Sequence, residues 1–209
     1  MNTLWTFGCS FTNCEGCKPG DEYYEKYWNE GDKIWPELVA ENYGMVLQNF
    51  GINGASNDVI LDNLIEQYNN IKKNDIVILG FTLPHRFDIP YKNKLTSVFN
   101  YFLETEKNEV LSYYTEEQLE TIINFQYHFS YSNLFRKRQL MRFNFFTELL
   151  KEKGIKICFW RLLEETEKKF ERIYIHTKNK INDGHFSYNG HIEFSKYIIS
   201  KLEPKDKFI

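Results

Sequence analysis

The chain has 209 residues, of which 42 % are hydrophobic, with 18 Phe and 14 Tyr; this length and composition predict one domain with a sizeable core. A net charge of −3, with the lysines scattered over the chain, excludes a basic nucleic-acid footprint and reads as solvated surface. No apolar run approaches the roughly 20 residues needed to cross a bilayer, and the first residues run straight into a motif with neither basic leader nor cleavage site. The expected setting is therefore cytoplasmic, as in a phage-like or other non-secreted protein, without a membrane or nucleic-acid partner.

"TLWTFG" at 3–8 is a short β-favouring run stopped by glycine and predicts a buried strand. A loop with Gly16, Pro19 and Gly20 follows, leading into an aromatic, polar stretch. "IWPELVAENYG" at 34–44 predicts a helix, with Pro36 in its first turn and Gly44 as its stop. "MVLQNFGI" at 45–52 is a second strand, running into the glycine turn "NGASN". Val59, Leu61, Leu64, Ile65 and Tyr68 share a face of a helix over 57–71, with Asn57 or Asp58 as its natural cap.

"DIVILGF" at 75–81 is an unbroken apolar strand of the kind that parallel sheets bury on both faces. Residues 90–150 read as a helical, aromatic-rich insertion, with a capping box at Thr115–Gln118 and a long helix or helix pair from there to Lys153. "IKICFWRLL" at 155–163 is a further buried strand, "ERIYIHT" at 171–177 a short one, and "GHIEFSKYIISKL" at 190–202 a closing amphipathic helix. Strands alternating with helices predict a three-layer α/β fold on a mainly parallel sheet.

The four cysteines are Cys9, Cys14, Cys17 and Cys158. Cys14 and Cys17 have the spacing of half a zinc site, but a tetrahedral site needs two more ligands. In a reducing compartment the expectation is thiols, with Cys9 buried at a strand end.

Ligands of such a sheet bind beyond the carboxyl ends of its strands. Ser10, Gly54 and Thr82 each follow a predicted strand, and Asp183 and His185 fall in the predicted loop before the last helix. A serine hydroxyl needs a histidine base, and the imidazole needs a carboxylate to orient it. Asp183-Gly184-His185 supplies that pair from one segment. His191, in the last helix, competes as base but is read as a capping or packing residue, and His85, His128 and His176 as surface or core residues.

In these blocks the sequence resembles the SGNH (GDSL-like) hydrolase family. Gly8-Cys9-Ser10-Phe11 is similar to its first block, Asn49 to Gly54 to its second, and Asp183-Gly184-His185 with Gly190-His191 to its last. The resemblance implies a flavodoxin-like, SGNH-type sheet and a serine-dependent esterase working without cofactor through an acyl-enzyme. It makes Ser10 the nucleophile, His185 the base and Asp183 its partner, with an oxyanion hole from the N–H groups of Ser10 and Gly54. Three positions differ from the family pattern: Cys9 stands for its aspartate, Asp183 and His185 are two residues apart where three is usual, and Thr82 stands where its third-block asparagine would be. Thr82 can donate one hydrogen bond in that place.

Arg86 either meets an anionic substrate group or forms a surface salt bridge. The expected substrate is a small-molecule or carbohydrate ester, such as an O-acetyl group. Transfer of the acyl group to an alcohol, and a binding module without turnover, stay open as other readings. Neither the oligomeric state nor the exact substrate is legible.

Overall fold

The computed structural model describes residues 1–13, 28–91, 94–98, 112–130, 132–162, 172–176 and 182–203, with residues 91, 94–98, 172–176 and 182–185 described as backbone only. Strands β1 (Thr3–Gly8), β2 (Val46–Gly51), β3 (Ile76–Phe81) and β6 (Lys156–Arg161) form one parallel sheet in the order β2-β1-β3-β6. All six residues of β3 are buried, as its unbroken apolar run requires in the middle of a covered sheet. β2 lies at the edge and is only part-buried.

Helices cover both faces. On one face α2 (Trp35–Tyr43) packs against α6 (Tyr188–Leu202); on the other α3 (Asn57–Gln67) packs against α5 (Asn133–Glu152). Two neighbouring residues of β6 display the layering, because successive strand side chains point to opposite faces. Trp160 meets Trp35 and Phe194 edge-on, at 6.4 and 5.1 Å, while Phe159 meets Phe143 at 5.7 Å on the far side. The architecture is the three-layer α/β/α arrangement expected from the alternation of strands and helices.

Three local outcomes differ from the sequence reading. The cap of α3 is Ser56, whose hydroxyl accepts from the N–H groups of Asp58 and Val59, which releases Asn57 for another role. Residues expected to be helical at the start of the insertion instead form an antiparallel hairpin, β4 (Phe87–Tyr91) with β5 (Lys94–Val98). The later part of that stretch is helical: α4 (Glu116–Phe125) starts on the predicted Thr115/Gln118 capping box and continues through a π-helical turn, Gln126–Ser130. α5 is no appendage, since its Phe143 and Leu150 are fully buried in the main core.

The third difference concerns Asp183 and His185. They were expected in a loop but lie in a strand, β8 (Asn182–Phe186), paired antiparallel with the predicted strand β7 (Arg172–His176). Asn, Asp and Gly are all poor strand formers, so "NDGHF" carries no local β signal. The pairing of Ile175 with Asp183 and of Ile173 with His185 overrides that composition.

Candidate active site

β1 is flanked by β2 on one side and β3 on the other, so the chain leaves the carboxyl ends of β1 and β3 toward opposite faces. A crevice opens at such a reversal of strand order. Ser10 and Thr82 come just after the two strands that flank this point, β1 and β3. The ladder aligns Leu4 with Ile76 and Phe7 with Leu79, so the carboxyl ends of β1 and β3 lie side by side.

Ser10 begins α1 (Ser10–Asn13), a single turn held by the N–H groups of Thr12 and Asn13, which donate to the Cys9 carbonyl at 2.8 and 3.1 Å. The second sequence block clamps this turn. Asn49 Oδ1 accepts from Thr6 Oγ1 at 2.9 Å and from the Gly51 N–H at 3.0 Å, while its Nδ2 donates to the Thr12 carbonyl at 3.1 Å. Asn13 Nδ2 donates to Asn53 Oδ1 at 3.0 Å. α1 lies so close to the end of β2 that a Cβ at Gly51 would sit 2.4 Å from the Asn13 nitrogen. Gly54 turns the following loop at φ +73°, a left-handed conformation that glycine adopts without steric cost.

The last sequence block approaches the first. β8 packs on α1, and Phe11, next to Ser10, meets Phe186, next to His185, edge-on at 5.1 Å. The two ends of the chain thus share one rim of the sheet. The side chains of Asp183 and His185 lie outside the described residues, as does the geometry between hydroxyl and imidazole.

His191 is a packing and capping residue, as read from the sequence. It is buried between the rings of Trp28 and Phe186, and its Nδ1 accepts from the Trp35 N–H at 3.1 Å, at the start of α2. That bond fixes the imidazole to the scaffold.

Thr82 is 2 % exposed and is held from three directions. The amide of Asn57, wholly buried, brackets its main chain: Oδ1 accepts from the Thr82 N–H at 2.8 Å and Nδ2 donates to the Thr82 carbonyl at 3.4 Å. Asn57 Nδ2 also donates to Gln139 Oε1 of α5 at 3.2 Å. Arg86 donates from Nη1 to Thr82 Oγ1 and to the Ala55 carbonyl, both at 3.3 Å. Arg86 therefore ties the Gly54 loop to the end of β3.

His85, beside Arg86, has its pKa pushed down from 6.5 to about 4 by burial and, secondarily, by the guanidinium charge. Sequence reading missed Asn57 and Gln139. Three adjacent polar residues at 56–58 hid which was the cap, and nothing local to a basic run marks Gln139 as buried.

Cys9 and Cys158 are buried and form no disulfide, while Cys14 and Cys17 lie outside the described residues. Among the described residues no group of three His, Cys, Asp or Glu could hold a metal ion, and no helix is long and apolar enough to cross a membrane. A hollow of about 600 Å³ opens at the opposite edge, lined by strand starts such as Asn2, Met45, Ile76 and Lys156. It lies on the wrong side of the sheet to receive Ser10 or Thr82.

No family model and no curated protein matches the chain. Among solved structures the chain is similar to a protein described as lipolytic, of the G-D-S-L family, from Desulfitobacterium hafniense DCB-2, at 12 % identity and a TM-score of 0.34, covering 97 % of this chain and 100 % of that one. It is similar to a catalytic mutant of Axe2, an acetylxylan esterase from Geobacillus stearothermophilus, at 11 % identity and a TM-score of 0.39, covering 98 % and 95 %. It is also similar to the lipase/acylhydrolase from Enterococcus faecalis, at 12 % identity and a TM-score of 0.37, covering 99 % and 100 %.

Proposed function

We propose that the chain is an ester hydrolase acting on O-acyl esters of small or carbohydrate substrates, with Ser10 as nucleophile, His185 as general base and Asp183 as the carboxylate that orients the imidazole. The observation that carries this reading is the meeting of the two ends: Ser10 leads a one-turn helix at the carboxyl end of β1, and β8 packs on that helix through Phe11 and Phe186.

In this reading Ser10 Oγ attacks the ester carbonyl as His185 takes its proton. The C=O electron pair moves onto oxygen, where the N–H groups of Ser10 and Gly54 and the hydroxyl of Thr82 receive it. Collapse expels the alcohol, which leaves with the proton from His185, and Ser10 carries the acyl group. Water, deprotonated by His185, then attacks the acyl-enzyme and releases the acid. These steps call for no cofactor. An alcohol in place of water would make the same intermediate an acyl donor, and free acetate measured against acylated acceptor separates the two outcomes.

The test is labelling with a serine-directed fluorophosphonate alongside hydrolysis of 4-nitrophenyl acetate. The expected result is a single adduct on the peptide containing Ser10, absent from Ser10→Ala, whose hydrolysis falls to background. Equal hydrolysis by wild type and Ser10→Ala, or none by either, would overturn the reading.

A further inference from the structure

We infer that Arg86 is a positioning residue that makes the Thr82 hydroxyl a hydrogen-bond donor to the crevice, so that Thr82, Arg86 and Asn57 together form one rigid oxyanion donor; this rests on the esterase reading above. The argument begins with hydrogen-bond chemistry. A threonine hydroxyl can donate or accept, and left to itself it rotates to suit its surroundings. A guanidinium can only donate. Because Arg86 Nη1 lies 3.3 Å from Thr82 Oγ1, the oxygen must accept on that side. Its single proton is then directed to some other acceptor, and the charge of the donor polarises the O–H further.

Rotation is one freedom that an oxyanion donor must lose; translation is the other. Asn57 removes it by bracketing residue 82 through both its N–H and its carbonyl, at 2.8 and 3.4 Å. The same Arg86 Nη1 spends its second hydrogen on the Ala55 carbonyl at 3.3 Å, one residue past Gly54. One planar NH₂ group therefore sets the spacing between the two loops that supply the proposed donors. A lysine cannot hold two loops in that fixed fork. Donors held in place before reaction need no reorganisation when charge develops on the carbonyl oxygen.

The experiment uses the full chain and 4-nitrophenyl acetate, a neutral ester on which a cation has no anionic group to bind. Thr82→Val should lower kcat about 10²–10³-fold with little change in KM, and Thr82→Ser should restore most of it. Arg86→Met should also lower kcat and not KM, with Arg86→Lys falling between Met and wild type. Once Thr82→Val is in place, Arg86→Met should cost little more, because the hydroxyl it acts through is gone.

A raised KM with unchanged kcat in Arg86→Met would show that Arg86 touches substrate directly and overturn the inference. Additive losses in the double variant would do the same. Should Arg86→Met not fold, Arg86→Lys combined with Thr82→Val completes the same cycle. Loss of hydrolysis in Ser10→Ala with full kcat in Thr82→Val overturns this inference alone, whereas wild-type hydrolysis by Ser10→Ala overturns the nucleophile reading along with it.

Discussion

The two edges of the central sheet use polar residues in opposite ways. At the amino edge, buried Asp75 accepts from the Thr3 N–H at 2.8 Å, the Trp5 indole N–H at 2.9 Å and the Lys72 N–H at 2.9 Å. All three bonds close within the scaffold, stitching the start of β1 to the turn before β3. At the carboxyl edge, Asn49, Asn57 and Arg86 hold main chain and hydroxyls in place around the turn that carries Ser10 and around Thr82. One edge spends its polar groups on cohesion. The other spends them on placement.

Four substitutions test that division, from the largest effect to the smallest. Ser10→Ala should reduce ester hydrolysis roughly 10⁴-fold or more while the thermal unfolding midpoint stays in place; circular dichroism melts and the ester assay read the two halves of the prediction. Asp75→Ala should do the reverse. It strands three donors at the amino edge, at a cost of about 3 kcal/mol or more, read from urea unfolding, while the folded protein keeps the kcat of the proposed reaction. A kcat that collapsed with Asp75 would erase the distinction between the edges.

Gly51→Ala should touch both properties. The new methyl meets the backbone of Asn13, so either β2 or α1 must move, at about 1–3 kcal/mol of overpacking. The displaced turn carries Ser10, so kcat should fall along with stability. The smallest effect is at His85. Its folded pKa of about 4 lies below the ordinary 6.5, so between those values the unfolded chain binds the proton more readily. Stability from this group is therefore full above pH 6.5, is lost as pH falls toward 4, and is level below that. His85→Gln should flatten that part of the stability profile, as read by urea midpoints across the range.

Much of the scaffold was legible because burial writes itself into composition. The apolar runs of β1, β3 and β6, Pro36 at the head of α2, and the Thr115 capping box all state their structure locally. β8 did not, because its strand character comes from pairing with β7 and its own residues disfavour it. The placement of the candidate residues was legible in the same uneven way. Ser10, Gly54 and Thr82 could be placed at strand ends from the sequence, and β8 could be paired with the first block through its Asp and His.

The clamp on Thr82 could not be read. Asn57 and Arg86 come from separate segments that only the fold brings to Thr82, and Gln139 of a third accepts from Asn57. The threonine that stands in place of the family's asparagine is held through its N–H, its carbonyl and its hydroxyl.

Ser10 rides on the sheet, whereas Asp183 and His185 ride on a separate two-stranded ribbon. Between the two pieces lies a bearing of aromatic rings, Phe11 against Phe186, backed by Phe194 and His191. Packed rings resist compression, so they set how far the ribbon stands from the turn that carries Ser10. Reshaping Phe11 or Phe186 would therefore retune that spacing from a position next to Ser10 or His185.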